Sequence, residues 1–208
     1  KNKKTKYHKY YSNSAPIDFD VSKQKDAYMA IVQNSSSQYS LQEVTTIYSF
    51  KKQPRYYVPP PVVYQNANPL LKVETIGDGN YLILEANNLF TYIVNNQVKT
   101  FELPIKNIVD IKGQLGNTKV FALSADNKLY VIDFATFDTN LQVTEIPFGN
   151  NLMFAGYAIN WEVSPNNQYV LLYQNTGLLC INTATNESRQ FKIPSGSFAL
   201  WAMVNDNG

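Results

Sequence analysis

The 208-residue chain contains one histidine and one cysteine, and most familiar catalytic chemistry is excluded by that scarcity. His8 lies in the first ten residues, so the remainder of the chain cannot form a Ser-His-Asp or Cys-His arrangement. Zinc and other histidine-rich sites are excluded on the same ground. A single cysteine, Cys180, rules out an intrachain disulfide and any cysteine-cluster metal site, and no cofactor is expected. Its neighbours Leu178, Leu179 and Ile181 mark it as a small buried apolar side chain. No run of about 18 apolar residues is present, the length that a membrane-crossing helix needs. The chain does not begin with Met, so it reads as processed or truncated; a lost signal or anchor segment stays open, and no compartment is assigned. Helical signal is also scarce: the apolar stretch from Met29 to Val32 is too short for a helix and falls where a strand is expected.

Charge is low as well, with Asp, Glu, Lys and Arg making up 16% of residues against 44% hydrophobic. Tyr and Phe together number 26, a balance that favours aromatic and β-branched strand packing over charged helical surfaces. Asn, Gln, Ser and Thr supply most of the polar surface. The net charge is +2, but Lys1, Lys3, Lys4, Lys6 and Lys9 contribute five positive charges, which leaves the rest of the chain at −3. Residues 1–14 therefore read as a basic, solvated, flexible segment, and a mildly acidic body argues against a nucleic-acid-binding face. The Asn-x-Ser sequons at Asn34 and Asn186 are no more than an asparagine-rich sequence produces by chance.

Against these absences stands a repeat. Three segments end alike, in Phe101-Glu102-Leu103-Pro104, Thr144-Glu145-Ile146-Pro147 and Phe191-Lys192-Ile193-Pro194, with prolines 43 and 47 residues apart. A step of 44 back from Pro104 reaches Pro60, inside Tyr56-Tyr57-Val58-Pro59-Pro60-Pro61. The implied units are 15–61, 62–104, 105–147 and 148–194, with 195–208 opening another. Each holds four strand-like runs separated by turns. In the last unit these are 158–163, 169–173, 178–182 and 188–193. In the third they are 108–111, 119–124, 128–134 and 142–146, and in the second 72–76, 81–85, 89–94 and 97–103. The first unit is looser, with strands expected at 16–21, 27–32, 39–50 and 55–58. The second strand of each unit, such as Leu82-Ile83-Leu84, is almost wholly apolar, as a strand covered on both faces must be. The fourth strands alternate, as an exposed edge should, and the prolines at their ends block edge pairing.

Four antiparallel strands in a unit of about 40 to 47 residues is the pattern of propeller blades. The stretches Val163-Ser164-Pro165-Asn166-Asn167-Gln168-Tyr169-Val170 and Asn127-Lys128-Leu129-Tyr130-Val131-Ile132-Asp133 resemble the blade motifs of the WD40, TolB-like and quinoprotein-like β-propeller superfamilies. Asn166-Asn167 stands where such blades often have Asp-Gly, and no Gly-His or Trp-Asp pair marks a WD40 repeat, so the likeness is to the blade and not to one family. It implies an all-β chain of about four four-stranded antiparallel blades, part of a larger propeller. Missing sequence or another chain would complete the ring. Trp161 and Trp201, at matching places on successive inner strands, are expected to pack between blades.

Among acids, Asp18, Asp20, Glu85, Asp110, Asp133, Glu145 and Glu162 leave a paired-carboxylate mechanism formally open, but the sequence pairs no two of them. Gly77-Asp78-Gly79-Asn80 lacks the residues of a phosphate or calcium loop and reads as a hairpin turn. The segment Lys51 to Pro61 mixes cations, aromatics and a polyproline-prone tract. Arg55, Tyr56, Tyr57, Pro59 and Pro60 are therefore the candidate partner-binding residues, with an outer strand and its connector as the competing reading. The expected function is a non-catalytic scaffold for protein–protein interaction within a larger assembly. The alternative is the non-catalytic propeller of a longer secreted or membrane-anchored hydrolase, similar to dipeptidyl peptidase-like serine peptidases.

Overall fold

The computed structural model describes residues 17–22, 27–33, 38–45, 61–77, 80–114, 118–134, 142–147, 160–174 and 177–194. They form sixteen strands in four antiparallel sheets, each a simple meander of sequential neighbours. The first sheet contains β1 (Asp18–Ser22), β2 (Ala27–Gln33), β3 (Tyr39–Thr45) and β4 (Val62–Asn66). The second contains β5 (Leu70–Gly77), β6 (Asn80–Glu85), β7 (Leu89–Val94) and β8 (Gln97–Glu102). The third is β9 (Ile108–Gly113), β10 (Lys119–Ser124), β11 (Leu129–Asp133) and β12 (Gln142–Ile146). The fourth is β13 (Asn160–Val163), β14 (Tyr169–Gln174), β15 (Gly177–Asn182) and β16 (Ser188–Lys192). Within a residue or two, the three later units match the expected strands. Met29 to Val32 lies in a strand, and Gly77 pairs with Asn80 across a hairpin.

The first unit needs a correction. Its fourth strand was expected at 55–58, ahead of the prolines, but β4 follows them at Val62–Asn66, which the repeat count had assigned to the second unit. Residues 55–58 themselves lie outside the described residues. The cause is visible in β4, whose pattern Val62-Val63-Tyr64-Gln65-Asn66 alternates weakly and carries no terminal proline, so the proline step drew attention to the wrong side.

Period-two alternation explains how the sheets stack. On β10, Val120 and Ala122 point into a core shared with the second sheet, while Phe121 and Leu123 point into one shared with the fourth. On β6, Leu82 and Leu84 face the third sheet and Tyr81 and Ile83 face the first. Both strands are buried over nearly their whole length, as their apolar runs require. The seams contain between 8 and 12 buried side chains each, and at about 1.5–3 kcal/mol per large apolar group this burial is the dominant cohesive force. Farther out the burial fades: β16 is exposed throughout, with Phe191 at 52%.

The turns depend on asparagine. All eight described non-glycine residues with positive φ are Asn, at 87, 88, 95, 96, 107, 127, 167 and 186. A short amide side chain tolerates the left-handed region better than any other non-glycine residue. Asn167 thus occupies the position expected for the glycine of Asp-Gly. In that turn Ser164 Oγ accepts from Tyr169 N at 2.9 Å and donates to Asn166 Oδ1 at 2.9 Å. Ser124 repeats the arrangement one sheet earlier, accepting from Lys128 N at 3.1 Å and donating to Asp126 Oδ1 at 2.5 Å.

If the seams dominate stability, Phe121→Ala should cost about 3–5 kcal/mol. Val98→Ala, on an exposed edge at 49% exposure, should stay within about 0.5 kcal/mol. Urea unfolding of both variants checks the contrast.

Candidate functional site

The first strand of each sheet is a sheet edge, so every second amide on it has no strand partner. These four strands, β1, β5, β9 and β13, lie side by side, and they share a pattern of polar residues at i and i+2: Asp18 and Asp20, Lys72 and Glu74, Asp110 and Lys112, Asn160 and Glu162. The spacing places each pair on one face of its strand, and in the first three sheets that face is turned toward the following sheet.

Carboxylates on one inner strand accept the free amides of the next. Asp18 Oδ2 accepts Val73 N–H at 2.9 Å and Asp20 Oδ2 accepts Thr75 N–H at 2.6 Å. Glu74 Oε2 in turn accepts Gly113 N–H at 2.9 Å. At the third junction side chains take over: Trp161 Nε1 donates to Asp110 Oδ2 at 2.8 Å, Gln114 Nε2 donates to the Val163 carbonyl at 3.0 Å, and Lys112 pairs with Glu162 at 3.4 Å. Lys112 also lies 5.8 Å from the Trp161 ring centroid. Lys72 bridges Asp18 at 3.7 Å and Asp110 at 3.5 Å, tying three strands.

The electrostatics follow from this crowding. Burial raises the Asp18 carboxyl above its ordinary value, with the Val73 amide and Lys72 pulling partly back. Burial lowers the Lys72 ammonium, yet the attraction of Asp110 and Asp18 outweighs it and leaves Lys72 raised. Glu74, packed on most sides though part of its surface is accessible, is held well above the carboxylate range, first by burial and then by repulsion from Asp20.

A second polar centre joins the first two sheets. Glu85, with no exposed surface, accepts from Tyr64 Oη at 2.9 Å, Thr91 Oγ1 at 2.6 Å, Asn66 Nδ2 at 2.8 Å and Asn68 Nδ2 at 3.1 Å. Four neutral donors solvate this carboxylate in place of water. Of the acids read from sequence, Asp18, Asp20, Asp110 and Glu162 come together along the inner strands. Glu85, Asp133 and Glu145 do not join them. Sequence reading missed Glu74, Lys72 and Lys112, although the i, i+2 pattern at the first strand of every unit would have found them. Trp161 is core, 3% exposed, as expected. Trp201 and the candidates Arg55, Tyr56, Tyr57, Pro59 and Pro60 lie outside the described residues. Among the described residues, no group of three or more His, Cys, Asp or Glu could hold a metal ion, and no helix is long and apolar enough to cross a membrane.

No family model matches the chain, and no curated protein does. Solved structures do. The β-propeller domain of Cps50 (Swd1) from Myceliophteria thermophila is similar over 90% of this chain and 58% of its own, with 9% identity and a TM-score of 0.59. The WD40 β-propeller domain of Doa1 is similar over 87% of this chain and 55% of its own, with 10% identity and a TM-score of 0.54. HIRA(644-1017) follows at 85% and 56%, with 10% identity and a TM-score of 0.51. This chain spans a little over half the length of each. At such identities the likeness concerns fold, and with four four-stranded antiparallel sheets it establishes the architecture as β-propeller blades.

Trp161 tests the third junction. Trp161→Phe keeps a ring in the seam but strands Asp110 Oδ2 without its indole donor, and should cost about 1–3 kcal/mol in chemical unfolding. A cost near zero would mean that the indole bond contributes nothing to the junction.

Proposed function

We propose that this chain is a non-catalytic propeller module that holds a protein partner within a larger assembly, and that Arg55, Tyr56, Tyr57, Pro59 and Pro60 carry most of the contact. The single observation behind this reading is the length of one connection. Strands β3 and β4 are joined by residues 46–61, sixteen in all, whereas the equivalent connections are two residues from β7 to β8, eight from β11 to β12 and five from β15 to β16. A connection longer than its counterparts in the other sheets is where binding residues collect. Its chemistry suits a protein surface: a guanidinium for carboxylates, two tyrosines for apolar pockets and prolines that limit the ordering cost.

The absence of catalysis in this proposal rests on how the described acids are used. Asp18, Asp20 and Glu74 are committed to backbone amides, Asp110 to an indole, and Glu85 to four neutral donors. A nucleic-acid partner is disfavoured by the −3 charge that remains beyond the lysine-rich start.

Affinity purification with the intact chain and with an Arg55→Ala/Tyr56→Ala/Tyr57→Ala variant, quantified by mass spectrometry, tests the proposal. The variant should lose a stoichiometric partner at least about tenfold while its melting temperature is unchanged. Equal recovery by both baits contradicts the docking surface, and hydrolytic turnover by the purified chain contradicts the non-catalytic reading.

A further inference from the structure

We propose that residues 198–204 run as the first strand of a fifth sheet over the face of the fourth sheet that points away from the third, with Trp201 seated on Leu171 and Tyr173, and that this strand shields the thiol of Cys180.

Alternation defines the face. Val170, Leu172, Leu179 and Ile181 point into the core shared with the third sheet, so Leu171, Tyr173, Leu178, Cys180 and Phe191 point the other way. Cross-strand register gives each of them an equivalent in the second sheet. Leu171 and Tyr173 correspond to Leu82 and Leu84, Leu178 to Phe90, Cys180 to Tyr92 and Phe191 to Phe101. In the second sheet that set makes the seam with the third: Leu82, Leu84 and Phe90 lie in the shared core, and Tyr92 and Phe101 pack on Phe134.

Among the described residues no such seam covers the fourth sheet, and Leu171 and Tyr173 belong to none of the three cores. Yet they are only 8% and 4% exposed. Neighbours within one sheet do not bury a tyrosine on its face, so another segment lies over β14. One strand farther out, Leu178 is half-buried where its equivalent Phe90 is fully covered. On β16, Phe191 is exposed where Phe101 is half-buried. Cover that is complete at β14 and gone by β16 is narrower than a sheet, and fits one strand laid along the inner side.

Repeat spacing selects that strand. β9 starts four residues after Pro104, and its seam residue Ile111 lies nine after Glu102, the last of β8. The same steps from Pro194 and from Lys192, the last of β16, arrive at Phe198 and Trp201. Ile111 shares a core with Leu82 and Leu84, so by the same register Trp201 falls on Leu171 and Tyr173. Leu200 and Ala202 stand where the earlier inner strands carry polar residues, so this strand is held by apolar contact and not by capped amides. Burial also raises the Cys180 thiol above its ordinary value, with Arg189 pulling partly back.

Cys180 is the only cysteine, so its labelling by a thiol reagent reports on this face. At fixed pH, Trp201→Ala in the full chain should speed labelling at least about tenfold by opening the face locally. Trp201→Phe should stay close to wild type, and Val98→Ala, on the edge of the second sheet, should leave the rate unchanged. Equal rates for wild type and Trp201→Ala overturn the proposal. Should that variant not fold, NMR of the wild type decides: nuclear Overhauser contacts between the Trp201 indole and the Leu171 methyls support the seat, and their absence overturns it.

Discussion

Among the described residues no fifth strand pairs with the innermost strand of any sheet, so each has a row of amides outside the ladder. Apolar burial cannot satisfy those groups, and the chain answers with acids carried on the neighbouring inner strand. Asp18, Asp20 and Glu74 each cap an amide one sheet further on. The seams derive their cohesion from side chains such as Leu82, Phe121 and Leu172. Their register near the inner edge comes from the carboxylates. A shift of one residue between neighbouring sheets would leave the caps facing the wrong amides.

That division of labour accounts for the odd composition. Few charges are available, and among the described residues those on the inner strands are used in register, with Asp18, Asp20 and Glu74 on backbone amides and Asp110 on an indole. Asparagine does the work of glycine at the turns, from the Asn95-Asn96 hairpin to Asn107 ahead of β9. Serine completes the two related turns at Ser124 and Ser164, and Asn167 Nδ2 reaches back to the Lys119 carbonyl to join the third and fourth sheets.

Much of the fold was legible because both faces of a central strand are covered, which writes a continuous apolar run such as Tyr81 to Leu84 into the sequence. The prolines after β8, β12 and β16 marked three outer strands correctly. The fourth was misplaced because Pro59 to Pro61 precede β4 instead of following it. The inner-strand site was less legible. Asp18 and Asp20 were visible as acids, but Glu74 looked like an ordinary polar position in an alternating strand, and its importance depends on lying beside Gly113, 39 residues away. Glu85 was visible only as one acid among seven, whereas Tyr64, Asn66 and Asn68, distant by 17 to 21 residues, make it a buried centre. Partners supplied by another unit leave no local trace in spacing.

Native-state hydrogen exchange at the inner edge tests the account most directly. The amides of Val73, Thr75 and Gly113 have no strand partner, yet each is capped by a carboxylate and should exchange as slowly as the ladder amides of β6 and β10. Exchange at the fast rate expected of an open edge would show that the acids do not hold the neighbouring strand, and would contradict the account.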